Sequence, residues 1–361
     1  MALVTDRKKV FVAMSGGVDS SVAAYLLLQQ GFDVTGVFMK NWSDPLADKC
    51  PWEDDLKDFI SVCHKLKIKS KIEIFEEQYR KKIVKYLIDG YKKGLTPNPD
   101  MLCNKEIKFK LFLDKARKLG ADYIATGHYV ISKSEKVKDK TIYYLFMAKD
   151  SNKDQSYFLS LLNQSQLKYS LFPIGNLLKP DVRIIAKKAG IPVYNKKDSQ
   201  GICFIGKVKF SDFIRTFIPS KYGNIVTTSG EIIGRHDGLP FYTIGQRHGL
   251  KVGGGTPYYV VKKQKKENNL VVSKGAKDKS LYSLSANISN FSWISGVPPS
   301  FPINCFAKIR YRQKSQKCVV VKKGDRLLIK FNKMQRAITP GQFAVLYDKK
   351  MLLGGGVIMA E

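Results

Sequence analysis

No stretch of this chain approaches the roughly 18 continuous apolar residues of a membrane-spanning helix. The opening MALVTDRKKV also lacks the apolar centre of a secretory signal. The expectation is a cytoplasmic protein with no membrane partner. Cysteine is scarce, with six residues at 50, 63, 103, 203, 305 and 318. They are too few and too scattered for a disulfide scaffold, and none stands in a C-x-x-C pair, which argues against structural zinc. Cys50 and Cys63-His64 match no recognised ligand spacing, and no metal site is expected from them. Acidic residues are outnumbered, 31 against 62 Lys and Arg, for a net charge of +31. That charge invites a polyanion, nucleic acid first. Only eleven of the basic residues are arginines, however, and a lysine-biased composition explains the charge as well. There is no internal repeat and no low-complexity linker. The 361 residues, 44% of them apolar, suffice for two or three domains with an ample core.

What is present begins with Val10–Ser21, VFVAMSGGVDSS. An apolar run to Met14 breaks into Ser15-Gly16-Gly17-Val18-Asp19-Ser20, and a helix-compatible run follows from Ser21 to Leu28. This reads as strand, tight turn, helix. Two glycines let the backbone turn and expose consecutive N–H groups, and the helix points its positive end at the same place. Ser15, Ser20 and Ser21 offer hydroxyls, and the whole forms a cradle for phosphates. It ends without lysine, so it is not the G-x-x-x-x-G-K-[ST] loop of γ-phosphate transfer.

The alternation of strand and helix continues. Strands are expected at Asp33–Met39, Ser70–Phe75 and Asp122–Thr126, and helices at Trp52–Leu66, Glu76–Lys93 and Lys105–Leu119. Such βα units specify a parallel sheet with helices on both faces and ligands at the carboxyl ends of the strands. The opening loop, the end of Asp33–Met39 and Gly127 would all lie on that edge. Lys133–Lys140 reads as the charged tip of a surface hairpin. From about Phe210, Gly, Pro, Tyr and short β-rich runs replace long helices, which suggests a small mixed domain. From about Leu284, short strands separated by turns suggest a C-terminal β-barrel.

Two thiols lie in ordered-looking segments. Cys103 follows Thr96-Pro97-Asn98-Pro99-Asp100, with Asn104 placed to cap a helix beginning at Lys105. A thiolate at Cys103 would be favoured there, with Asp100 close enough for general acid or base work. A buried structural cysteine beside a capping turn fits the same residues. Cys203 lies between Gly201 and Gly206, and a structural thiol is again an equal reading. A phosphate cradle with two thiols is what sulfur chemistry on an ATP-activated oxygen needs.

With TPNPDMLCNKEIKF, ATGHY, KDQSYFL, GICFIG, YTIGQRHGL and the terminal IRYRQ and PGQFAVLY beside SGGVDSS, the sequence resembles the tRNA-specific 2-thiouridylases of the ATP-pyrophosphatase (PP-loop) group over essentially its whole length. The resemblance implies an α/β fold: an adenine-nucleotide α-hydrolase-like, Rossmann-like sheet over 1–207, a small central domain over 208–282 and a tRNA-contacting barrel over 283–361. It implies an ATP site at Ala13, Met14, Ser15, Gly16, Gly17, Val18, Asp19, Ser20, Met39 and Gly127, with Asp19 helping to hold Mg²⁺ and pyrophosphate. Cys203 would carry a persulfide and Cys103 would assist sulfur release, ending in a transient Cys103–Cys203 disulfide. Asn98, Pro99 and Asp100 would frame the flipped-out uridine, with Asp100 as acid/base. His128, Lys153, Asp154, Gln155, Arg310, Tyr311 and Gln342 match tRNA-contacting positions. Partners would be the tRNA anticodon stem-loop and a persulfide donor protein, such as a cysteine desulfurase or relay, acting on a monomer. The departure is SDPLADKCPW over Ser43–Trp52, where an acidic stretch is expected.

The residues alone leave other readings open. Another ATP-pyrophosphatase, such as the amidating domain of GMP synthetase, shares the loop but leaves both cysteines without a role. A non-catalytic RNA-binding protein leaves the intact loop, Asp100 and both thiols unexplained. In a variant of the first reading, Cys103, Cys203 and Asp100 ligate an iron–sulfur cluster that holds the transferred sulfur. Arg310 and Arg312, read as one strand, would share a face and pair phosphates, while Tyr311 faces the other way.

Overall fold

The computed structural model describes residues 7–43, 52–197, 210–253 and 255–360. Strand β1 (Lys9–Ala13) is buried from Val10 onward, with no polar alternation, as suits a strand covered on both faces. It leads through the glycine turn into α1 (Val18–Gln29), β2 (Asp33–Lys40), α2 (Trp52–Leu66) and the mostly exposed β3 (Lys69–Ile74). Helix α3 then spans 76–92 and α4 spans 99–118, each containing a π-helical stretch, before β4 (Tyr123–Thr126). A hairpin follows, β5 (Val130–Val137) and β6 (Lys140–Met147), and then α5 (Gln164–Lys168), the short β7 (Ser170–Leu171) and α6 (Lys179–Lys188). The first sheet is wholly parallel in the order β3-β2-β1-β4-β7. Strand order reverses at β1, so a crevice opens where β1 and β4 end.

One helix boundary departs from expectation. The helix anticipated from Lys105 begins at Pro99 instead, because Asn98 Oδ1 accepts the Asp100 N–H at 3.1 Å and Pro99 occupies a first-turn position that needs no donor. Asn104 is therefore not a cap. Its side-chain amide donates back to the Asp100 carbonyl at 3.1 Å.

The middle region forms a four-stranded sheet from β8 (Gly223–Thr227), β9 (Ile232–His236), β10 (Tyr258–Gln264) and β11 (Asn269–Lys274), in the order β10-β11-β8-β9. The last six strands are β12 (Tyr282–Trp293), β13 (Ile303–Lys308), β14 (Gln316–Lys323), β15 (Arg326–Arg336), β16 (Phe343–Asp348) and β17 (Met351–Ile358). They run β12-β15-β14-β13-β16-β17, and pairing of β12 with β17 closes the expected barrel. Cys305 and Cys318 face each other across β13 and β14 with their sulfurs 3.7 Å apart.

Two connections differ from the sequence reading. The hairpin is exposed at its tip, but β6 also pairs with β17, Leu145 opposite Leu352 and Phe146 opposite Met351. The barrel sheet thus reaches into the N-terminal region. One apolar cluster accordingly contains Phe11 and Val37 together with Phe343, Tyr347 and Leu352. Arg310 and Arg312 do not lie on a strand. β13 stops at Lys308, the Gln313 side chain takes the Ile309 N–H at 2.9 Å, and the chain turns.

Candidate active site

The cradle is built by torsion and close approach. Gly16 has φ +68°, and a side chain there would come within 2.2 Å of the Asp55 carbonyl oxygen. Gly127, after β4, packs so near the first turn of α1 that a Cβ would stand 2.6 Å from the Ser20 nitrogen. Gly127 therefore meets the opening loop as expected. Met39, at the end of β2, is buried beneath the same edge. The serines divide. Ser20 Oγ accepts the Ser15 N–H at 3.3 Å and donates to the Gly17 carbonyl at 3.2 Å. Ser21 Oγ donates to that carbonyl at 2.8 Å. Those two hydroxyls brace the loop instead of facing outward, while Ser15 is exposed. First-turn N–H groups of α1 and its positive end remain the anion-directed donors.

The fold adds distant side chains that brace the loop and its carboxylate. Lys179 Nζ lies 2.7 Å from Asp19 Oδ1, and the Tyr129 hydroxyl donates to that oxygen at 2.8 Å. Lys196 Nζ reaches the Gly16 carbonyl at 3.2 Å, Asp55 at 2.7 Å and Asp58 at 2.5 Å. Burial works against the Lys196 charge, but the two carboxylates outweigh it and raise its pKa above the usual lysine value. Sequence reasoning missed all three residues. The tyrosine stands in the quoted ATGHY; the lysines sit among many others, 160 or more positions from the loop.

Cys103 lies in the second turn of α4, fully buried in the cluster that also holds Ala13, Met39, Trp42 and Met101. The expected position at a helix N-terminus is not what the chain adopts, because the helix starts four residues earlier. Asp100 is half-buried, three residues before Cys103 and so on the same helical face. The preceding loop is clamped from the barrel. Thr96 N–H donates to the Pro340 carbonyl at 2.9 Å, and Gln342 Nε2 donates to the Thr96 carbonyl at 2.7 Å. Cys203, Cys50 and most of the divergent Ser43–Trp52 segment lie outside the described residues.

The residues matched to tRNA contacts are largely engaged within the protein. Asp154 is 6% exposed and accepts from Ala148 N at 3.0 Å, Ser156 Oγ at 3.0 Å and Lys308 Nζ at 3.3 Å. Gln155 Oε1 accepts the Tyr129 N–H at 3.0 Å. Tyr311 packs in a tilted contact on Phe158 with centroids 4.4 Å apart, and Arg310 donates to the Ala337 carbonyl at 2.7 Å. His128 is buried against Phe109, with Nδ1 2.8 Å from Thr126 Oγ1. Desolvation, helped by the charge of Lys108, pushes its pKa well below the ordinary histidine value. Lys153 is half-buried and Arg312 exposed.

Comparison with known proteins accords with this architecture. Residues 8–207 match the family described as the tRNA methyl transferase HUP domain, 211–274 its PRC-barrel domain, and 284–358 the aminomethyltransferase beta-barrel domain. The chain is 48% identical over 357 residues to a tRNA-specific 2-thiouridylase MnmA of Hahella chejuensis, covering 97% of each. It is 47% identical over 359 residues to that of Legionella pneumophila (strain Paris), covering 98% of each. A solved U34-tRNA thiolase, NcsA of Methanococcus maripaludis, aligns over 54% of this chain and 60% of its own at 18% identity and a TM-score of 0.36, too slight a likeness to bear on the chemistry. With this edge of the sheet, this barrel and near-complete coverage of such relatives, the chain belongs to the tRNA-specific 2-thiouridylase family.

Proposed function

We propose that this protein is an ATP-dependent tRNA-uridine 2-sulfurtransferase acting on the wobble uridine of anticodons. The observation that carries the reading is the match along the whole chain to enzymes named for that reaction. Geometry supports it, because Cys103 is buried in the same apolar cluster as the cradle residues Ala13 and Met39.

In the proposed sequence the uridine C2 oxygen attacks the α-phosphorus of ATP, and pyrophosphate leaves from the glycine cradle. The terminal sulfur of a Cys203 persulfide then attacks C2, and AMP departs with the former C2 oxygen. Cys103 thiolate attacks the Cys203 sulfur, the persulfide S–S bond breaks and a Cys103–Cys203 disulfide forms; an external thiol reductant resets it. Asp100 serves as acid/base on the face it shares with Cys103. Asp19 fits a Mg²⁺ accompanying ATP, since its Oδ2 has no hydrogen-bond partner among the described residues. Such an ion neutralises phosphate charge when bound.

Residues 1–207 would carry the chemistry and 283–361 would grip the anticodon stem-loop, consistent with a base extruded from its loop for reaction. The sulfur donor would be a persulfide-bearing protein. Among the described residues no helix is long and apolar enough to cross a membrane, and we place the enzyme in the cytoplasm as a monomer. The test is reconstitution with ATP, a persulfide donor and unmodified tRNA, followed by nucleoside mass spectrometry. The expected products are 2-thiouridine, AMP and pyrophosphate. ADP as the nucleotide product would refute the proposed chemistry.

A further inference from the structure

At the start of α6 the chain places its side chains against hydrophobicity. Leu178 is 38% exposed, while the next residue, Lys179, is 7% exposed. A lysine goes inside only where something repays loss of its water. Its position is fixed, because the Lys179 N–H donates to Oδ2 of the buried Asp150 at 2.9 Å. The ammonium then makes its 2.7 Å contact with Asp19 Oδ1, with the ring of Tyr129 alongside at 6.0 Å. The Tyr129 hydroxyl, on a residue 1% exposed, binds the same oxygen. Two donors from separate segments thus converge on Oδ1 of a carboxylate in the first turn of α1 and leave Oδ2 open.

We infer that Lys179 and Tyr129 are positioning residues that hold Asp19 by one oxygen so that the other receives the Mg²⁺ accompanying ATP. This rests on the ATP-dependent reading above. Lys179 is not assigned as a phosphate ligand, because reaching a phosphate would abandon a buried ion pair and strand Asp19. Metal-ligating carboxylates are commonly oriented in this way by a second hydrogen-bonded group.

The test is calorimetric titration of the full-length protein with ATP, once with Mg²⁺ and once with EDTA, without tRNA or sulfur donor. Lys179→Met is expected to weaken Mg²⁺-ATP binding about 10- to 100-fold while leaving metal-free ATP binding within about twofold. Tyr129→Phe should produce a smaller loss of the same kind, and Lys179→Arg should restore most of the Mg²⁺ dependence. In an Asp19→Asn background, Lys179→Met should cost nothing further in Mg²⁺ dependence. If Lys179→Met does not fold, Tyr129→Phe decides. Equal weakening with and without Mg²⁺ would make Lys179 a phosphate ligand and overturn the inference, as would unchanged Mg²⁺ dependence in Lys179→Met and Tyr129→Phe. A wild-type protein that binds no ATP under either condition overturns the ATP reading together with the inference.

Discussion

The glycine cradle and the Cys103 helix stand on one edge of the same sheet and are made in opposite ways. The cradle loop is largely local: its turn follows from Gly16 at positive φ and two serine hydroxyls folded back on Gly17, with distant side chains only bracing Asp19 and Gly16. The Cys103 segment is set from a distance. Its loop is held by Pro340 and Gln342 of the barrel, and its thiol is buried among residues drawn from across the N-terminal region. A contiguous site keeps its geometry through backbone torsion, whereas a distributed one keeps it through packing. The first therefore fails by single-residue sterics and the second by chemistry or by loss of distant support.

The strongest way to break the comparison is at Gly16. Gly16→Ala places a methyl against the Asp55 carbonyl at a positive φ, so ATP binding should fall by about two orders of magnitude, with a stability loss of about 1–3 kcal/mol. Calorimetric titration with ATP and thermal unfolding check both effects. Unchanged affinity would mean that the loop does not need this torsion.

Next comes Cys103→Ser, which should abolish thiolation while retaining tRNA-dependent pyrophosphate release. Its stability cost should be about 1–3 kcal/mol, because a hydroxyl enters a fully buried site. Pyrophosphate assay and nucleoside mass spectrometry on the same sample separate the steps. Loss of both would show that the two regions cannot be uncoupled.

The smallest effect is a pH dependence centred on His128, at the seam between them. Its folded pKa is depressed, so the folded imidazole stays neutral while the unfolded one protonates below about pH 6.5. Stability should thus be unaffected above that pH and decline as pH falls from about 6.5 towards the folded value. His236, also shifted down by burial, contributes with the same sign. Chemical denaturation between pH 7.5 and 5.5 should show the decline, and His128→Gln should make it shallower. A wild-type profile flat across that range would overturn the assignment.

Legibility divides along the same line. Val10–Ser21 declared strand, turn and helix, and short turn-punctuated strands after Leu284 declared a barrel, because both signals lie in neighbouring residues. Asn98-Pro99 was also a local signal, an N-cap followed by a first-turn proline, but Asn104 competed for the same role and the helix start was displaced. Lys179, Tyr129 and Lys196 were not identifiable as cradle partners, since nothing local distinguishes a lysine that will meet Asp19 from one facing solvent. The hairpin's exposed tip was readable from its charges. Its union with β17 was not, because strand partners so far apart leave no mark on either segment.

That union has a consequence for how the chain is made. During synthesis β6 and the apolar residues around Leu145 and Tyr157 emerge long before the strands that cover them, β16 and β17, which end at Ile358. Until those last strands leave the ribosome, the β6 edge lacks its β17 partner and part of the shared core lacks its lining. Closure of this edge therefore waits on a strand made much later than β6 itself. A polypeptide stopped before β16 would carry most of the catalytic sequence and still present an open strand edge to its neighbours.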